Sequence, residues 1–183
     1  MSIIRDALRL MDTYEIYPNS MFPPSPYYRF LRGLAAAKRP AVSVELGVCG
    51  GGGSLHLALG YERGRVLGID IGNEYPTHIR FIEEHCPNFE FMLADSIQVA
   101  TKIDAIVDIL FIDTIHTYER TMAEWNAWSS LLADGAIVCL DDLNRPGMMD
   151  AWNELPKGSI KMTLYRLHPP ASPTDGGFGV IQL

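Results

Sequence analysis

Two short stretches hold the side chains best suited to metal and proton chemistry. Asp113-Thr-Ile-His116 sets an imidazole three residues beyond a carboxylate, and Asp141-Asp142 places two carboxylates together. Each stretch ends an apolar run, so these groups meet only if the two runs lie side by side with their ends aligned. Carboxylates from two such ends can converge on one hard cation. Mg2+ typically takes one or two carboxylates and completes its octahedron with water and substrate oxygens. His116 beside them has a pKa suited to taking a proton near neutrality. The plainer alternative makes Asp113 or Asp142 a helix cap and His116 a surface histidine.

A second set of residues points to a nucleoside-containing ligand. Gly47 is followed by four consecutive glycines, Gly50 to Gly53, and then Ser54. Glycines at such density lose backbone entropy and fit where a ligand must approach the main chain or where φ is positive. Asp70 ends the next apolar run, roughly 20 residues on, where a carboxylate can accept hydrogen bonds from a ribose diol. Asp95-Ser96 ends a third run, although Asp95 reads equally well as a cap for the helix that follows. A tight turn without a ligand is the alternative for the glycines, and Cys49 among them has no basic neighbour to make it a nucleophile.

The elements that must position these residues follow from periodicity. Residues 41–46, 65–70, 89–95, 107–113 and 135–142 are short runs that are apolar on both sides, as buried parallel strands are. Helical spacing fills 53–60, 74–86, 96–103 and 117–132, the last with Met122, Trp125, Trp128, Leu131 and Leu132 along one face. The alternation predicts βαβ units in a doubly wound, Rossmann-like sheet, whose strand ends share one rim. After a helix at 147–155, strands at 159–167 and 178–183 have no helix between them and predict an antiparallel C-terminal hairpin, seven strands in all. Ahead of this α/β core, 41–183, come a helix at 1–11, a Pro- and aromatic-rich segment at 14–28 that either covers the site or packs on the core, and a helix opening at Ser25-Pro26.

Composition narrows the function classes. The 183 residues, 48% of them hydrophobic, predict one domain over 1–183. With 22 acidic against 15 basic residues the net charge is −7, the wrong sign for a phosphate-backbone binder, so no nucleic-acid partner is expected. Three scattered cysteines without a CxxC pair fit a reduced, cytoplasmic setting. Arg5, Asp6 and Arg9 interrupt the stretch where a signal peptide's apolar core would lie, and no 18-residue apolar run occurs, so no membrane partner is expected.

Glu45-Leu-Gly47 with its glycine run, Gly68-Ile-Asp70, Leu93-Ala-Asp95-Ser96 and the terminal hairpin resemble the class I S-adenosylmethionine-dependent methyltransferases over about residues 41–183. The resemblance implies S-adenosyl-L-methionine held by Glu45, Gly47, Gly50, Gly51, Gly52 and Ser54 at its methionine part. It implies Asp70 on the ribose, Asp95 and Ser96 by the adenine, and Asp113 facing the cofactor. Leu110 to Glu119 and Leu131 to Asp142 are similar to Mg2+-dependent O-methyltransferases, including ones acting on sugars of natural products. That subgroup implies Asp113, Asp141 and Asp142 as metal ligands, His116 as base, and a small-molecule acceptor with a hydroxyl group. Thr114-Ile115 departs from it, standing where glycine and a polar residue are common. Two other readings stay open: an NAD(P)-dependent oxidoreductase on a related sheet, and a non-catalytic nucleoside-binding protein of the same fold. Whether the chain forms a homo-oligomer is also left open.

Overall fold

The structure, a computed structural model, describes residues 2–14, 22, 25–164 and 176–183. In chain order the elements are α1 (Ile3–Met11), α2 (Pro26–Lys38), β1 (Val42–Leu46), α3 (Gly52–Gly60), β2 (Arg65–Asp70), α4 (Pro76–His85), β3 (Phe89–Leu93) and α5 (Ser96–Ala100). They continue with β4 (Val107–Ile112), α6 (Tyr118–Trp128), β5 (Leu132–Leu140), α7 (Met148–Glu154), β6 (Ile160–Leu164) and β7 (Phe178–Gln182). The strands form one seven-stranded sheet in the order β3-β2-β1-β4-β5-β7-β6. β1 to β5 pair in parallel, and β7 runs antiparallel to both β5 and β6. The expected doubly wound fold with its reversed hairpin is therefore the observed one. Most of segment 14–28 ahead of α2, and most of the link between β6 and β7, lie outside the described residues.

Alternate residues of the central strands feed two cores, as a two-residue repeat requires. Ile109 and Phe111 of β4 pack with α1 to α4 on one face, whereas Leu110 and Ile112 pack with α5, α6 and α7 on the other. Tyr27 and Phe30 on α2 hold the hairpin against the first core. Tyr27 stacks on Phe178 with ring centroids 5.1 Å apart, and its hydroxyl donates to the Leu164 carbonyl at 3.3 Å.

Two elements differ from the periodicity reading. β5 begins at Leu132 rather than 135, because its register against β4 shifts between Val107 and Ile109, a bulge that takes up Gly135 at a φ of 70°. α6 correspondingly stops at Trp128. Its fully buried residues are Thr121, Glu124 and Trp128, while Met122 and Trp125 of the expected apolar stripe are only partly covered.

Candidate active site

The rim is aligned by backbone hydrogen bonds that run past the strand ends. The Gly47 N–H donates to the Ile69 carbonyl, Asp113 to Leu46 and Ala94 to Asp70, all at 2.8 Å. Asp141 donates to Ile112 at 3.2 Å. Gly47, at a φ of 87°, has to be glycine, since a Cβ there would run into the Asp113 carbonyl. The described non-glycine residues with positive φ are Arg39, at the end of α2, and Cys49, His116 and Asp142, all on this rim. Backbone in that region costs about 1–3 kcal/mol per residue and collects at functional sites.

On one side of Gly47 the rim opens into a cleft of about 420 Å³ lined by Gly47, Cys49, Asp70, Gly72, Ser96, Asp113 and Arg120, among others. The Asp70 carboxylate is pinned at both oxygens: Cys49 N–H donates to Oδ2 at 2.8 Å and Gly72 N–H to Oδ1 at 3.0 Å. A carboxylate has about four lone-pair sites, so each oxygen can still accept a ligand hydroxyl. Ile71 and Ile115, 76% and 71% exposed, add apolar wall to the same cleft.

Asp95 takes the cap reading. Its Oδ1 accepts from the N–H groups of Ile97 and Gln98, and its Oδ2 accepts from Arg120 at 3.1 Å. The Gln98 bond is the largest of the effects that hold its carboxyl below the usual range. Ser96 does line the cleft, but its hydroxyl donates to Glu124 at 2.6 Å and accepts from Arg120 at 2.7 Å. Glu124, fully buried, also accepts from the Thr114 hydroxyl and from Arg120 Nε, both at 2.9 Å. Arg120 and Glu124 were not expected from the sequence. A polar pair at i,i+4 on a helix ordinarily reads as solvent-facing, and the partners that draw it inward come from two other elements.

The glycine run packs against protein. The Gly50 carbonyl meets His78 Nδ1 at 3.2 Å, a Cβ on Gly51 would strike Ile82, and one on Gly53 would come 2.9 Å from Phe111 and from the Glu45 carboxyl carbon. Gly52 lies under the ring of Tyr28 from α2, another residue that nothing in the sequence pattern singles out. Glu45 and Ser54 are fully buried and hydrogen-bonded to one another. Burial pushes the Glu45 carboxyl well up, against the pull of the Ser54 hydroxyl. Glu45, Gly50, Gly51, Gly52 and Ser54 thus shape the loop from behind and do not line the cleft.

Beyond Asp113 lies the acidic cluster. His116 Nε2 is 3.0 Å from Asp113 Oδ1, and its Nδ1 is 3.7 Å from Asp142 Oδ2. Asp113, His116 and Asp141 each offer one ligand atom, all within 4.8 Å of one another. Asp142 stands outside that trio, with Arg145 Nε donating to its carboxylate at 3.0 Å. Burial pushes the Asp113 carboxyl up, opposed by the hydrogen bond with His116. Asp141 is pushed up by burial and then by the charges of Asp113 and Asp142. For His116 burial works downward, but the hydrogen bond to Asp113 and the carboxylates around it outweigh that and raise its pKa. Two crowded, desolvated carboxylates favour a proton or a cation between them, and oxygen donors fit a hard divalent ion such as Mg2+. No helix among the described residues is long and apolar enough to cross a membrane.

Residues 44–143 match a family model described as a methyltransferase domain. No curated protein matches the chain. Among solved structures, cofactor-bound Rv0187 from MTB is 18% identical, with a TM-score of 0.70 over 97% of this chain and 88% of that one. The O-methyltransferase TomG from Streptomyces achromogenes, involved in tomaymycin synthesis and solved with SAM, is 16% identical at a TM-score of 0.70, over 98% of this chain and 88% of its own. An O-methyltransferase from Bacillus cereus, solved with SAH, is 16% identical at a TM-score of 0.69, over 100% and 91%.

Proposed function

The chain belongs to the methyltransferase-domain family, and from that premise we propose that it moves a methyl group from S-adenosylmethionine to a hydroxyl of a small molecule with the help of Mg2+. The observation that carries the reading is the junction at Asp113. This residue lines the cleft beside the pinned Asp70 carboxylate and also hydrogen-bonds His116 in the acidic cluster, which supports a cofactor site and a proton-accepting site sharing one wall. The TomG and Bacillus cereus structures, with SAM and SAH, support the choice of cofactor.

In this reading Asp70 accepts the two ribose hydroxyls, Ile71 and Ile115 flank the base, and Gly47 lets the methionine part close onto the main chain. With His116 Nε2 3.0 Å from Asp113 Oδ1, the tautomer this role requires carries its proton on Nε2 and leaves Nδ1 to take the acceptor's proton. The freed oxygen pair attacks the methyl carbon in line, the carbon–sulfur bond breaks, and its electrons stay on sulfur as the thioether S-adenosylhomocysteine. Alignment of the two reactants supplies much of the rate. Asp113 and Asp141 are the residues that would hold Mg2+, with Asp142 behind them. An ion held there would supply Lewis-acid lowering of the acceptor hydroxyl's pKa.

The test is transfer of label from methyl-labelled S-adenosylmethionine to a panel of hydroxylated small molecules, with and without Mg2+. His116→Ala should slow turnover about 10²- to 10⁴-fold if the imidazole is the base. Binding without transfer to any acceptor would favour the non-catalytic binder, and binding of NAD or NADP instead would favour the oxidoreductase.

A further inference from the structure

Residues 113–117 join β4 to α6 and carry both Asp113 and His116. The loop is strained, with His116 at a φ of 47°, and such backbone persists only where its surroundings over-determine it. Three anchors hold it. At its start the Asp113 N–H donates to the Leu46 carbonyl at 2.8 Å, and the Thr114 Cα packs so close to Gly47 that a Cβ there would come within 3.0 Å of it. At its end Thr117 caps α6, its hydroxyl accepting from the Arg120 N–H at 3.3 Å. Between them the Thr114 hydroxyl donates to Glu124 Oε2 at 2.9 Å. Ile115, the next residue, is exposed and adds little packing to the loop.

Glu124 is a fixed post for that middle anchor. It is fully buried, and its Oε1 accepts from the Ser96 hydroxyl at 2.6 Å and from Arg120 Nε at 2.9 Å. Arg120 reaches on to Ser96 and Asp95, and the Ser96 carbonyl accepts from the Trp128 indole at 2.8 Å. A carboxylate held on both oxygens has no second position to adopt, because moving it would strand buried donors. Ser96 and Arg120 already give Glu124 the partners that its burial requires. The bond to Thr114 adds a different thing, a fixed distance from the α5–α6 unit to the middle of the loop.

We propose that Glu124, through the Thr114 hydroxyl, is a positioning residue for His116, holding the loop so that the imidazole meets Asp113 at Nε2 and presents Nδ1 toward the acceptor. The inference rests on the reading of His116 as base given above. Neither Glu124 nor Thr114 moves a proton. Nε2 lies 3.0 Å from Asp113 Oδ1, so a loop displaced by about 1 Å loses that hydrogen bond, and with it the tautomer and the aim of Nδ1. Misplacement of a reacting group on that scale can cost about 10²-fold in rate. Removing one anchor of three should cost less, about tenfold.

Thr114 also lines the cleft, and Thr114→Val keeps the shape of that wall while removing the hydroxyl. The variant should lower kcat about tenfold and leave the dissociation constant of S-adenosylmethionine within about twofold of wild type. Thr114→Ser, which keeps the hydroxyl, should restore most of the rate. In a His116→Ala background Thr114→Val should change kcat by less than about twofold, because the group it positions is gone. Equal fractional losses in the two backgrounds, a Thr114→Ser variant as slow as Thr114→Val, or no loss at all overturns the proposal. Glu124→Gln, which keeps the volume and gives up one acceptor oxygen, runs the same cycle from the other end of the bond should Thr114→Val fail to fold. A second readout needs no acceptor: the ¹⁵N shifts of the His116 ring nitrogens at a pH where the ring is neutral. Wild type should carry the proton on Nε2, and Thr114→Val should bring the two shifts closer together. A wild-type proton on Nδ1, or shifts that the variant leaves unmoved, also overturns the proposal. If wild type methylates no acceptor, the methyl-transfer reading fails, while the ring shifts still decide whether Thr114 sets the imidazole.

Discussion

Two acidic clusters lie on the same rim, and the protein treats them differently. Glu124 and Asp95 are answered from within, by Arg120, by the hydroxyls of Ser96 and Thr114, and by two backbone N–H groups. Among the described residues, Asp113, Asp141 and Asp142 have His116 among them and Arg145 at their outer edge. In the first cluster every carboxylate oxygen accepts a hydrogen bond, and the network ties α5, α6 and the Thr114 loop into one unit. In the second, burial and mutual repulsion push the carboxyls of Asp113 and Asp141 upward. Carboxylates this close, with little positive charge beside them among the described residues, favour a proton or a cation.

The largest effect should come from breaking the complete cluster. Glu124→Ala leaves Arg120 and two hydroxyls facing an apolar methyl, and should cost about 3 to 5 kcal/mol of stability by denaturant titration. A loss below about 1 kcal/mol would put the network in the class of surface ion pairs and remove the contrast.

Next comes a pH effect that belongs to neither cluster and has to be subtracted before they are compared. Burial lowers the His56 pKa from 6.5 to about 4. The unfolded chain then binds more protons than the folded one between those values, so stability falls as pH drops from 6.5 toward 4. The span is roughly 3 kcal/mol. His56→Gln should flatten that limb in thermal melts, and an unchanged limb would place its origin elsewhere.

The incomplete cluster should respond to its missing charge. At 100 times its dissociation constant, Mg2+ should stabilise wild type by about 2.7 kcal/mol, and Asp141→Asn should lose that gain. Without metal the sign reverses relative to His56. Asp113 and Asp141 have raised pKa values, so the folded protein holds more protons than the unfolded one above about pH 4, and stability falls as pH rises. Asp141→Asn should weaken that fall as well. If Mg2+ leaves the melting curve of wild type unmoved, protons alone complete the cluster.

The smallest effect tests Asp70, the rim acid outside both clusters. Asp70→Ala should weaken S-adenosylmethionine and S-adenosylhomocysteine alike by roughly 1.5 to 3 kcal/mol, because both carry the same ribose. Unequal losses in calorimetry would move Asp70 away from the ribose.

What the sequence revealed and what it hid divide along the same physical line. The five parallel strands were legible because each is a short run apolar on both sides, and the acids ending them were legible because strand ends in this topology must share a rim. The hairpin was legible from two strand patterns with no helix between them. Glu124 and Arg120 were not, since the polar spacing of a helix looks the same whether it faces water or, as here, the buried Ser96 and the half-buried Thr114. The glycine run was ambiguous in its detail for a related reason. Glycine reports that something approaches the backbone closely without saying whether it is a ligand or, as with Gly52, the ring of Tyr28.

The position of β7 governs the order in which the sheet can form. It comes last among the strands, yet it lies inside the sheet, between β5 and β6. Until residues 178–182 are in place, β5 has an open edge and β6 has no strand to pair with. Both partners of β7 wait on contacts between distant parts of the chain, and such closures are slow. Phe178 then arrives between Tyr27, Phe30 and Phe111. The same late step that seals the exposed edge also seats α2 on the first core. A folding intermediate halted before it would show a sticky strand edge, and would lack the support that holds Tyr28 over the glycine loop.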